Sequence, residues 1–171
     1  MVKNMEKKEE EGEGTELKVS KIKDGTVIDH AEGGYALDVV RILRVDPKKT
    51  SSIITIAMNV PSKRLVKGRK DIIKIEGMKL NLREIDMIAV VAPKATINRI
   101  ENFEVISKHE VKLPSVIEGI VQCPNETCIS NSEAEPVKSK FYSETKAEQI
   151  TFRCHYCGEI VDQQKVVELI I

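Results

Sequence analysis

Four cysteines carry the clearest chemistry in this 171-residue sequence, and they come as two close pairs. Cys123-Pro-Asn-Glu-Thr-Cys128 has four residues between its thiols, Cys154-His-Tyr-Cys157 has two, and 25 residues separate the pairs. A short loop with two thiols can set both on one ion, and two such loops complete a tetrahedral four-sulfur shell. The pattern points to zinc, one per chain, held by Cys123, Cys128, Cys154 and Cys157. Protein fills all four positions, so the ion would build structure rather than activate water. Gly158, just after the second pair, permits the tight turn that aims amide N–H groups at sulfur. His155 lies between two ligands, but a full shell does not need it; it reads as an exposed ring beside the site. Other uses of the thiols fit less well. Two disulfides would suit a secreted chain, yet the acidic start does not resemble an export signal. A redox-active Cys-X-X-Cys would leave Cys123 and Cys128 without a role. Iron could occupy the same shell on ligand chemistry alone.

A second set of residues could meet a phosphorylated ligand. Asp29-His30 follows a short β segment; an aspartate can accept from sugar hydroxyls, and an adjacent histidine or lysine can meet a phosphate. Lys74 in DIIKIE and Lys108 in FEVISK are charges set in otherwise apolar strands. Taken singly, a strand lysine usually just faces solvent, an Asp-His pair is usually structural, and the basic run 62–70 reads first as a solvated connection. No Walker loop, G-x-G-x-x-G, H-E-x-x-H or nucleophile elbow accompanies them, so no catalytic site is legible.

Charge separates these two sets. Net charge is zero, but residues 1–16 carry −3, residues 17–113 carry +7 and residues 114–171 carry −4. A basic body and an acidic tail suggest two units with different partners, and the basic one suits phosphate. With 41% hydrophobic residues the chain can pack a core. No apolar run nears the roughly 18 residues of a membrane span, so we expect a soluble, cytoplasmic protein with no membrane partner.

The elements that must position these residues follow from periodicity. Residues 1–15 are charged and nearly free of apolar side chains, which predicts a disordered extension. Leu17 and Val19 share a face in a short strand, Asp24-Gly25 marks a turn, and TVIDH forms a further strand. From Tyr35 to Val45 the period becomes helical, with Leu37, Val40 and Leu43 as the apolar stripe. Residues 51–60 and 71–76 read as strands. Asn81 with Glu84 forms a capping box that opens a helix through Leu82, Ile85 and Ile88. AVVAP, TINRIE and FEVISK read as short strands, the last two hinged at Glu101-Asn102. This order predicts an α+β fold: a ferredoxin-like antiparallel sheet with two helices over 16–113. A linker at Lys112–Ser115 leads to a small all-β zinc-binding domain over 114–171, with strands around IVQC, VKSKFYS and QITFRC.

GTVIDH (25–30), NVPS (59–62), GRKDIIKIE (68–76), APKATINRIENFEVI (92–106) and the two cysteine pairs stand in one order along the chain. Together they resemble the regulatory chain of aspartate transcarbamoylase. The resemblance runs from about Leu17 to near the C-terminus. It implies a non-catalytic subunit of pyrimidine biosynthesis whose first domain binds nucleoside triphosphates (CTP or ATP). It implies further that the zinc domain docks on the catalytic chain, and that homodimers of regulatory chains bridge catalytic trimers. By the resemblance Asp29 lies near ribose, His30 and Lys108 near phosphate, and Lys74 near base and ribose. Val19, Ile22 and Val105 line the base pocket, and Asn98 occupies a further motif position. The alternative is a nucleic-acid-binding α+β protein with a zinc ribbon. Only 4% of residues are aromatic, too few for a stacking platform, and an acidic zinc domain repels phosphate backbones. A free-standing metalloenzyme conflicts with the closed sulfur shell.

Overall fold

The computed structural model describes residues 21–46 and 48–171. The expected extension over 1–15 and the expected strand at Leu17 and Val19 lie outside the described residues.

Among the described residues, seven elements build the first unit: β1 (Gly25–Glu32), α1 (Ala36–Ile42), β2 (Ile54–Pro61), β3 (Arg69–Glu76), α2 (Leu82–Val91), β4 (Thr96–Glu101) and β5 (Glu104–Glu110). The strands form one sheet in the order β2-β3-β1-β4-β5, and every pairing is antiparallel. This is the β-α-β-β-α-β arrangement with one strand added at the edge. Strand alternation divides the sheet into two faces. Ile28, Ile73, Ile75 and Ile97 are buried with Val39 and Ile42 of α1 and Ile88 and Val91 of α2. The helices therefore cover one face, and burying these branched side chains from water is the main force holding the unit together. Gly25 begins β1 with φ +141°; a Cβ there would sit 2.3 Å from the Ile75 carbonyl oxygen, so only glycine lets β1 lie this close to β3.

Two local expectations change. In α1 the buried side chains are Ala36, Val39 and Ile42, whereas Leu37 is 60% exposed. Of the expected stripe, Leu43 is buried and Val40 packs partly against the core, so only Leu37 is misplaced and Ala36 takes the buried position beside it. AVVAP is not a strand: Ala89–Val91 form the last turn of α2, and Met87 through Val91 are all buried. A short apolar run buried on all sides has no periodicity that separates helix from strand. The start of α2 is as expected. Asn81 Oδ1 accepts from Glu84 N at 3.0 Å and Glu84 Oε2 accepts from Asn81 N at 2.7 Å.

The second unit pairs β6 (Val116–Glu118), β7 (Lys140–Lys146), β8 (Gln149–Cys154) and β9 (Ile160–Asp162) in that order. Of IVQC, only Val121 pairs, through an isolated bridge to Ile170. Phe141 and Phe152 anchor this core, fully buried. The C-terminal segment, α3 (Gln163–Val166) and a 3₁₀ turn at Val167–Leu169, folds back on the first unit. Arg41 donates to the Val167 carbonyl at 3.1 Å, Gln163 to the Val91 carbonyl at 3.1 Å, and Arg83 to the Gly119 carbonyl at 2.6 Å. Buried apolar residues of both units belong to one continuous cluster. No helix among the described residues is long and apolar enough to cross a membrane.

Candidate metal centre and nucleotide face

The metal centre is assembled from two loops. Asn131 holds the first in shape, its Nδ2 donating to the carbonyls of Cys123 at 2.7 Å and Asn125 at 2.9 Å. In the second, Gly158 turns with φ +76° and its N–H donates to the Cys154 carbonyl at 3.1 Å. The sulfurs of Cys123, Cys128, Cys154 and Cys157 all lie within 4.8 Å of one another. Cys123 and Cys157 are 3.5 Å apart, Cys128 and Cys154 3.8 Å. A tetrahedral zinc with sulfurs at about 2.3 Å spaces them by about 3.8 Å, whereas a disulfide needs about 2.05 Å. The four thiols are unbonded to each other, so the donor set fits a structural zinc ion.

Burial raises the Cys123 and Cys154 thiols. The N–H groups of Cys157 and Tyr156 oppose that at Cys154 by favouring its thiolate. Burial also works against Cys128, but hydrogen bonds from the Ser130 side chain and backbone, with those from Cys157 and Cys154, together bring that thiol down to about 7. A divalent cation would draw the protons off these thiols and offset much of the charge of the resulting thiolates. His155 stays outside: exposed, its Nδ1 is hydrogen-bonded to the Tyr142 hydroxyl at 3.0 Å.

Of the other expected site residues, Asp29, Lys74, Asn98 and Lys108 share the helix-free face of the first sheet. Register sets Lys74 opposite Val27, Val27 opposite Asn98, and Asn98 opposite Lys108, so these four form one row across β3, β1, β4 and β5. The next row on that face pairs Asp29 with Thr96 and Thr96 with Glu110. At the other end Ile100 pairs with Gly25 and with Val105, which is exposed. Ile22 is buried, and beside it the Lys23 carbonyl accepts from Phe103 N at 2.8 Å. Ile22 and Val105 therefore lie at the end of the sheet away from Asp29. Asn98 Nδ2 donates to the Val27 carbonyl at 3.4 Å. Val19 lies outside the described residues.

His30 reaches this face because β1 is irregular. Its register against β3 shifts between Ile28 and Ala31, and His30 has φ +57°. Beside it, β2 shifts between Ala57 and Val60, with Asn59 also at φ +57°. Asp71, fully buried, supports both departures. Its carboxylate accepts from the backbone N–H of Gly34 at 2.8 Å, Ala36 at 3.0 Å and Asn59 at 2.8 Å.

Around His30 the charges are mostly positive. Burial lowers its pKa, Asp29 raises it, and Lys70, Arg64 and Lys108 lower it further. The ring is thus neutral at pH 7, and its Nδ1 lies 3.3 Å from the Asp29 carboxylate without hydrogen-bond geometry. Lys70 Nζ pairs with Asp29 at 2.8 Å. Burial also lowers the pKa of Lys74, which Asp29 opposes. Lys70 and Arg64 were not among the expected site residues. Their only signal was the basic run 62–70, which is largely exposed as expected; within it Leu65 is buried, Arg64 reaches Thr96 and Glu110, and Lys70 belongs to β3.

Comparison with known proteins agrees with this two-part layout. Residues 17–112 match the family model described as the allosteric domain of the aspartate carbamoyltransferase regulatory chain, and residues 115–167 match that chain's metal-binding domain. The regulatory chain of Archaeoglobus fulgidus is 49% identical over 147 residues, which is 86% of this chain and 94% of the relative. That of Ignicoccus hospitalis is 52% identical over 151 residues, 88% of this chain and 94% of the relative. That of Pyrococcus abyssi is 46% identical over 152 residues, 89% and 97% respectively. With both domains matched in order and a four-sulfur centre in the second, the chain belongs to the family of aspartate carbamoyltransferase regulatory chains and is a regulatory, non-catalytic subunit.

Proposed function

We propose that residues 16–113 bind a nucleoside triphosphate, CTP or ATP, on the helix-free face. Residues 114–171 dock on the catalytic chain, and dimers of regulatory chains bridge catalytic trimers in the cytoplasm. The observation that carries this reading is the convergence of Asp29, Lys74, Asn98 and Lys108 from four strands onto one strip, with His30 Nδ1 3.3 Å from the Asp29 carboxylate. From the Gly25/Ile100/Val105 row to the Asp29/Thr96/Glu110 row is four residues, roughly 13 Å at about 3.3 Å per residue. Apolar side chains stand at one end, Lys74 and Lys108 share the middle row, and at the other end Lys70 and Arg64 pair with the carboxylates of Asp29 and Glu110. Asp29 suits ribose hydroxyls, Lys74 the base and ribose, and His30 and Lys108 the phosphates. Regulation then requires two assembly states that the nucleotide distinguishes.

Calorimetry on the full chain tests the site. Lys108→Ala and His30→Ala should each weaken triphosphate binding by about tenfold, the size of a charge-assisted contact. Equal affinity for nucleoside and triphosphate would remove the phosphate role.

The pH dependence has a definite sign. Free His30 is held neutral by burial and neighbouring cations, and a bound phosphate favours its protonated form. Binding should therefore take up a proton, and affinity should rise as pH falls from 8 toward 6. His30→Gln removes that part of the slope and leaves the part due to the nucleotide itself. An unchanged slope in the variant would show that His30 does not meet the phosphates.

A further inference from the structure

The segment 62–68 between β2 and β3 brings Arg64 across the Asp29 end of the strip. Its Nη1 donates to Thr96 Oγ1 at 3.3 Å and its Nη2 pairs with Glu110 Oε1 at 2.6 Å. Thr96 is fully buried although it lies on the helix-free face, so the loop and its arginine roof this end of the sheet. A pocket of about 220 Å³ opens there, lined by Arg64, Leu65, Lys94, Ala95, Glu110 and Val111 among others. Lys94 is tied to Glu32 at 3.1 Å.

Glu110 stands two residues beyond Lys108 on the same face of β5. A carboxylate in that place repels a polyphosphate unless a cation neutralises it, and Arg64 does so. The pair is exposed on both sides, 41% for Arg64 and 65% for Glu110, so it is held weakly. A guanidinium offers five donors in a planar fork that matches phosphate as well as carboxylate, so a phosphate can replace the exposed carboxylate partner. The Arg64 row also lies one step further along the strands than the Lys108 row. A terminal phosphate reaches it, whereas the single phosphate of a monophosphate stops at His30 and Lys108.

We propose that Arg64 is the residue by which this site distinguishes triphosphates from shorter nucleotides, trading its contact with Glu110 for the terminal phosphate. The proposal rests on the nucleotide reading above, and adds to it a residue, a competing carboxylate and a ligand-length rule. Arg64 acts as a counter of phosphates, not as a general anchor.

The experiment is calorimetry of the full chain with CTP, CDP and CMP, on the parent protein and on Arg64→Gln, Arg64→Lys and Glu110→Gln. Arg64→Gln should lose about tenfold for CTP and less than twofold for CMP. Arg64→Lys should recover part of the CTP loss, since a point charge replaces the fork. Glu110→Gln should bind CTP several-fold more tightly by removing the competitor. Equal losses for CTP and CMP in Arg64→Gln would reduce Arg64 to a structural prop. No loss for either would remove it from the site. If those variants are silent while Lys108→Ala weakens CTP, the Arg64 proposal falls and the nucleotide reading stands. If the parent chain binds none of the three, both fall. Unchanged zinc content and circular dichroism guard against misfolding, and Glu110→Gln gives an independent reading should Arg64→Gln not fold.

Discussion

Cys157→Ser, or stripping the metal with a chelator, is expected to unfold residues after about 115 while the first sheet and its two helices persist. Structural zinc in small cysteine domains contributes apparent binding free energies of roughly 10–16 kcal/mol, larger than any other single term in a unit of this size. The four-stranded sheet has only a small core around Phe141 and Phe152, and it cannot offset the loss of the ion that ties its two loops together. Amide hydrogen exchange should show protection lost after 115 and retained in β1, β3 and β4. The first unit should still bind triphosphate but melt earlier, because α2 and α1 lose their cover from the C-terminal segment. The same variant should leave catalytic trimers unresponsive to CTP or ATP, since the docking domain is gone. Simultaneous unfolding of both units would show that the boundary near Pro114 does not separate independent domains. A zinc-free chain that still assembles and responds would overturn the division of labour between them.

Asp71→Ala should be the most damaging substitution in the first unit. Its carboxylate accepts from three backbone N–H groups, at the end of β1, the start of α1 and the irregular stretch of β2. Removing it strands these donors in a buried place, at a cost of about 3–5 kcal/mol. For a unit of about 100 residues that is a fall in Tm of about 10 °C or more. Asp71→Asn should rescue little, because an NH₂ group then faces an N–H. Triphosphate affinity should fall with stability, since Asp71 holds the chain shape that presents His30. A loss of under about 1 kcal/mol by urea titration would show that water or a shifted backbone satisfies the three donors.

How much of this was legible beforehand follows from the range of each interaction. The cysteine pairs are local: two and four intervening residues constrain each loop, and softness of sulfur selects the ion, so the metal centre can be read from spacing alone. The Asn81/Glu84 capping box closes within one turn and is equally local. Strand alternation in GRKDIIKIE and TINRIE exposes the row containing Lys74 and Asn98, because the β period reports which side chains share a face. A regulatory identity was likewise carried by short motifs in fixed order.

What the tertiary structure alone decided is everything that depends on distant partners. Which lysines share a face is set by inter-strand register, and a one-residue slip would have sent Lys74 and Lys108 to opposite faces. Whether AVVAP is helix or strand is settled by burial on all sides, which erases the periodicity a sequence reading needs. The C-terminal VVELII reads only as apolar until α1 and α2 give it a surface to cover. Arg64 looked like one cation in a solvated loop; its partners Thr96 and Glu110 are 32 and 46 residues away. Residue type and spacing thus determined the chemistry available to this chain, whereas the pairing of β3 and β5 with their neighbours decided where that chemistry converges.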